Sequence, residues 1–101
     1  MSAYVIVQVT VTDETKYAQY KKMTPATLAQ YGGKFIVRGG RQEDLEGRWD
    51  VAHLIMLEFA STEAARLWYD SPEYQAAKAV REGGAEMVFT LVEGVDEAPS
   101  G

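Results

Sequence analysis

A chain of 101 residues has the length of one domain and is long enough to bury a core of its own. Fifteen acidic side chains against ten scattered basic ones, a formal net charge of −5, exclude the clustered positive charge of a nucleic-acid surface. With no cysteine, a disulfide framework, a thiolate nucleophile and a thiolate-held metal are excluded too.

Residues 3–12 are almost pure β-formers and predict a first strand. Nothing like the run of about eighteen apolar residues that a membrane span needs occurs here or later. The start of the chain shows neither a basic leader nor a long apolar stretch, so a cytoplasmic protein without a membrane partner is expected. Alternation puts Val5, Val7, Val9 and Val11 on one face of the strand and Tyr4, Ile6, Gln8 and Thr10 on the other.

Asp13 is a good N-cap, and Tyr17, Tyr20, Thr24, Leu28 and Tyr31 follow at helical spacing. Pro25 either kinks this helix or starts a second short one, and Gly32-Gly33 stop it. Residues 34–38 predict a second strand, with Phe35 and Val37 on one face and Lys34, Ile36 and Arg38 on the other. The charged, glycine-punctuated segment 39–50 reads as a loop, long enough to form a hairpin arm or part of a site.

A third strand covers 51–59, and Ser61 caps a helix over Thr62–Asp70. Ser71-Pro72 opens a further helical stretch to about Arg81, with proline at the tolerated first position, and Gly83-Gly84 end it. A fourth strand covers 86–93. Residues 1–95 then form a single domain and 96–101 a flexible polar tail.

The order β-α-β-β-α-β predicts an α+β, ferredoxin-like fold: a four-stranded antiparallel sheet in the order 4-1-3-2 with the helices on one face. By parity the other face carries Tyr4, Ile6, Gln8, Thr10, Lys34, Ile36, Arg38, Leu54, Met56, Glu58, Val88, Thr90 and Val92. That surface is too apolar to stand in water, so a homodimer through this bare sheet face is expected. Its few polar groups would converge in a cleft able to take a small molecule.

The runs Tyr-Gly-Gly-Lys-Phe-Ile-Val-Arg-Gly-Gly at 31–40 and Trp-Tyr-Asp-Ser-Pro-Glu-Tyr-Gln-Ala-Ala-Lys at 68–78 resemble the uncharacterised family DUF1330. Leu-Glu-Phe-Ala-Ser-Thr-Glu-Ala-Ala at 57–65 and Leu-Val-Glu-Gly-Val at 91–95 fit the same pattern. The resemblance implies a branch of the dimeric α+β barrel superfamily. That group includes cofactor-free monooxygenases, isomerases, dehalogenases and haem enzymes, and members of no known activity. Catalytic residues are not shared between its branches, so the resemblance transfers none.

The candidates therefore rest on chemistry. Arg38, on the bare face beside two glycines, could clamp a carboxylate in bidentate fashion or pair with Glu58. Glu58, beside Gln8 if the first and third strands run parallel, is a candidate base or an ion-pair partner of Lys34. His53, the single histidine, is the one imidazole available for proton transfer and falls on the core face by parity. Tyr31, Gln8 and Tyr74 complete the candidate ligand-binding set, the two tyrosines weighed against a packing role. One histidine and no cysteine predict no metal site, and no motif predicts a cofactor. The functional expectation is a homodimer that binds a small organic acid or aromatic molecule. A non-catalytic interaction module and a cofactor-free monooxygenase or isomerase are the alternatives.

Overall fold

The computed structural model describes residues 2–95. The flexible tail expected at 96–101 lies outside the described residues. The elements run β1 (Ala3–Val11), α1 (Glu14–Gln30), β2 (Lys34–Arg38), β3 (His53–Phe59), α2 (Thr62–Asp70), α3 (Pro72–Val80) and β4 (Ala85–Glu93). The strands form one four-stranded sheet in the order β2-β3-β1-β4, every neighbouring pair antiparallel. This is the expected ferredoxin-like order, read from the other edge.

Asp13 caps α1 as its side chain implies, accepting from the backbone N–H groups of Thr15 and Lys16. Pro25 does not divide the helix, which runs through it to Gln30. At the far end the N–H of Gly33 reaches the Leu28 carbonyl at 2.9 Å, with Gly32 at φ 74°. That left-handed turn needs a glycine. Gly33 is required for a different reason: a Cβ there would sit 2.5 Å from the ring of Phe59.

The second helical stretch breaks once, at Ser71, which serves both pieces. Its N–H closes on the Trp68 carbonyl at 3.1 Å, and its hydroxyl accepts from the N–H of Tyr74 at 3.0 Å. Pro72 then opens α3 where its missing N–H is not needed.

All three helices lie on one face of the sheet, and the core between the layers is aromatic. Trp68, Tyr74 and Phe59 are fully buried together with Leu28, Leu57, Val7 and Val9. The Trp68 ring stands 4.4 Å from Tyr74 and 5.5 Å from Phe59. Each such ring withdraws on the order of 150–250 Å² from water, a gross gain of about 4–6 kcal/mol before conformational entropy is set against it.

Two side-chain placements are corrected. Strands β1 and β3 are antiparallel, as the predicted sheet has them, so the condition that would set Gln8 beside Glu58 is not met: Tyr4 faces Glu58 and Gln8 faces Leu54. Gln8 and Glu58 are therefore not neighbours. The second correction concerns β2. Lys34 pairs with Glu58 and Phe35 with Leu57, but Val37 pairs with Met56 and Arg38 with Ile55. Ile36 is the extra residue of a β-bulge, and the residues after it stand on the opposite face from the one simple alternation assigns. Val37 is on the bare face and Arg38 on the helix side.

Candidate functional site

The first half of α1 roofs a cavity of about 400 Å³ whose floor is the helix-side face of the sheet. Val7, Phe35, Ile55, Leu57, Met87 and Phe89 form the floor, and Tyr17 and Tyr20 come down from α1. Valine alternation along β1 and the aromatic spacing on α1 produce this lining directly. Glu14, Lys21, Arg38 and His53 add the ionisable groups, with Thr24 and Gly39 beside them.

Arg38 reaches the cavity because of the bulge, and it is held there by α1. Its guanidinium lies 4.2 Å from the ring centre of Phe35, a cation–π contact. Its Nη2 donates to the carbonyl of Lys21 at 3.2 Å. That carbonyl is one turn before Pro25, whose absent N–H would otherwise have bonded it. A proline buried in a helical pattern thus leaves an acceptor that a neighbouring arginine takes up. The Thr24 hydroxyl, one residue before the proline, donates back to the Tyr20 carbonyl at 2.8 Å and steadies the same turn.

Tyr17 and Tyr20 stack with ring centres 6.0 Å apart. Burial pushes the Tyr17 phenol above its ordinary value, while the charges of Arg38 and Arg81 pull the other way. Tyr20 is raised far more, by burial first and then by Tyr74, whose hydroxyl lies 3.0 Å from its own. Tyr74 is likewise raised by burial. Both phenols of this pair therefore stay protonated at neutral pH and act as hydrogen-bonding groups. Behind them Trp68 donates its indole N–H to the Thr27 hydroxyl at 3.0 Å.

The residues singled out from the sequence fall in four places. Arg38 and His53 come together at the cavity, with His53 exposed at the start of β3. Glu58 and Gln8 are on the bare face of the sheet, and Glu58 pairs with Lys34 at 3.1 Å. Tyr74 lies in the core behind Tyr20. Tyr31 is at the junction of α1 and α3, donating to the Glu73 carboxylate at 2.8 Å. That bond raises the Tyr31 phenol and lowers the Glu73 carboxyl. Tyr17 and Tyr20 were legible as a packing stripe only, and Lys21 carried no signal beyond its charge. No group of three metal-ligating side chains occurs among the described residues, nor any helix long and apolar enough to cross a membrane.

The cavity and the sheet order define a ferredoxin-like α+β protein with a pocket between its layers. The chain belongs to the DUF1330 family, described as a domain of unknown function, whose family model matches residues 2–95. Its fold is similar to that of a protein of unknown function from Rhodopseudomonas palustris, with 19% identity and a TM-score of 0.73 over 94% of this chain and 83% of that one. A dimeric ferredoxin-like protein of unknown function from Jannaschia sp. CCS1 is similar over 93% of this chain and 100% of its own, with 12% identity and a TM-score of 0.67. A cofactor-independent oxygenase from Streptomyces nogalater shares 14% identity and a TM-score of 0.63 over 97% of both chains. No curated protein matches the sequence.

Proposed function

We propose that this protein binds a small aromatic or organic acid in the cavity between α1 and the sheet, as a homodimer joined through the bare sheet faces. The observation that carries the reading is an imbalance of charge. The chain as a whole is acidic, at −5, yet the cavity wall holds Lys21 and Arg38 against Glu14. The only ion pairs among the described residues are Lys34–Glu58 and Arg48–Asp50, so neither cavity cation is matched by a carboxylate. Aromatic walls with a few convergent polar groups, in a volume of about 400 Å³, suit a small ring-bearing anion.

The dimer is supported by Ile36, Val88 and Val92, which stand 44%, 56% and 40% exposed on the bare face. The dimeric state of the Jannaschia protein points the same way.

Calorimetric titration with benzoate and salicylate tests the binding. Micromolar to low-millimolar affinity that drops at least tenfold in Arg38→Ala, with the fold intact, is the expected result. Wild-type protein that binds neither acid would overturn it.

His53 at the cavity edge favours a catalytic extension, in which the imbalance of charge holds a substrate anion and the imidazole takes its proton. Glu58 suits this role less well, being paired with Lys34 on the opposite face. His53→Gln is then expected to remove turnover, read as oxygen uptake with polyhydroxylated aromatics, while leaving benzoate affinity within about twofold. Equal uptake above the protein-free rate removes His53 from the role, and wild-type uptake no faster than that rate argues for a binding module without catalysis.

A further inference from the structure

Arg81 closes α3, and its side chain turns inward rather than to solvent. It is 9% exposed. Its guanidinium carbon lies 5.6 Å from the ring centre of Tyr20 and 5.5 Å from that of Phe89, two residues that line the cavity. No carboxylate is within ion-pair distance of it among the described residues, and its Nε is buried with no hydrogen-bond partner. The negative end of the α3 dipole tolerates a cation here, and the two ring faces attract it. Neither supplies an acceptor for Nε, and the one polar group that engages the guanidinium among the described residues is the Tyr74 phenol, which it pulls downward against the effect of burial. A buried guanidinium without an acid is a burden on the fold, and an apolar side chain of similar size would be better tolerated.

We propose that Arg81 is the specificity-determining charge of the cavity, selecting the anionic over the neutral form of a ring-bearing acid and drawing its carboxylate toward the Tyr20–Phe89 wall. This rests on the reading that the cavity binds such an acid. Arg81 stands behind the lining rather than on it, and its charge acts across the buried Tyr20 ring and the half-buried Phe89 ring, where a Coulomb interaction is screened less than at the surface. Arg38 and Arg81 then have different tasks. Arg38 is exposed, tethered to the Lys21 carbonyl, and meets the ligand at the opening. Arg81 is fixed and buried, and sets which end of the ligand goes in first. The ring of the acid occupies the space between Tyr17 and Phe35.

Benzoate and benzamide, nearly identical in shape and different in charge, separate these roles. Affinities of both are measured by calorimetry for the wild type, Arg81→Met and Arg81→Lys, with unliganded melting temperatures alongside. The wild type is expected to prefer benzoate, Arg81→Met to lose at least tenfold of that preference, and Arg81→Lys to keep most of it. Unliganded Arg81→Met is expected to melt at or above the wild-type temperature, since the change removes a buried charge that no carboxylate matches. An Arg81→Met protein that keeps the full preference overturns the inference while leaving the cavity reading intact. One that melts far below the wild type shows that the guanidinium holds the fold together, which also overturns it. Wild-type protein that binds neither compound, nor salicylate, overturns both.

Discussion

The link between Pro25 and Arg38 can be measured as a coupling energy. A proline inside a helix costs about 3 kcal/mol relative to alanine, partly through the lost N–H and partly through its ring against the carbonyl one turn back. In this chain that carbonyl belongs to Lys21 and receives the Arg38 guanidinium at 3.2 Å. A hydrogen bond from a charged donor contributes about 1.5–3 kcal/mol net, but Arg38 and Lys21 are both exposed, so screening and competing water reduce it to roughly 0.5–1 kcal/mol. In Pro25→Ala the new N–H takes the Lys21 carbonyl and the arginine loses its acceptor. Pro25→Ala is therefore expected to stabilise the protein by about 1–3 kcal/mol. Arg38→Met should cost about 0.5–1 kcal/mol more in the parent than in the Pro25→Ala background, because stacking on Phe35 is common to both and cancels. Urea denaturation of the four proteins gives the cycle, and melting temperatures check it, at about 4–8 °C per kcal/mol for a domain of this size. An Arg38→Met change that costs the same in both backgrounds would refute the idea that the helix positions the arginine.

Gly33→Ala places a methyl group 2.5 Å from the Phe59 ring and 2.9 Å from Leu28. Both neighbours are buried and cannot yield cheaply, so a loss of about 1–3 kcal/mol is expected, whereas Gly40→Ala, with open space around it, should change little. The Tyr31 bond lowers the Glu73 carboxyl below its ordinary 4.5, so its contribution to stability is present above that pH and lost as pH falls through the lower folded value. Tyr31→Phe should accordingly melt below the wild type at pH 7 and converge with it in acid well below 4.5; a gap that persists there would assign the effect to packing. Val88→Lys, at a site 56% exposed on the bare face, should turn the proposed dimer to monomer in light scattering without lowering helix content. A dimer that survives it would move the interface elsewhere.

Most of the fold was legible because local signals agree. Asp13 and Ser61 cap helices where their side chains imply, Gly32 and Gly33 stop α1, and Val5, Val7 and Val9 of β1 are buried against the helices. What was not legible is the site. Phe35-Ile36-Val37-Arg38 carries no signal that one residue will be left unpaired; the bulge is settled by how β2 meets β3. The strand directions placed Gln8 at the opposite end of its face from Glu58, a relation between segments distant in sequence. Arg81 reads as an ordinary basic residue at a helix end, and only packing against Tyr20 and Phe89 reveals that it is buried. Pro25 left a kink and a second short helix both open, and the residue that takes up the acceptor it frees comes from a strand, which the local sequence does not show.

The bulge at Ile36 has a consequence for reading related chains. Phe35 and Arg38 pair with Leu57 and Ile55, so three steps along β2 match two along β3. A relative that lacks Ile36 would run as a regular strand, with Val37 and Arg38 keeping their present partners and the cation still in the pocket. A relative of equal length without the bulge would instead carry the guanidinium to the bare face, although its sequence through the Arg-Gly-Gly run could be the same. Between such chains, an ungapped alignment would match arginines standing in different compartments. A gapped one would match arginines that do the same work. For this strand, identity at the arginine position says where the charge lies only once the pairing with β3 is known.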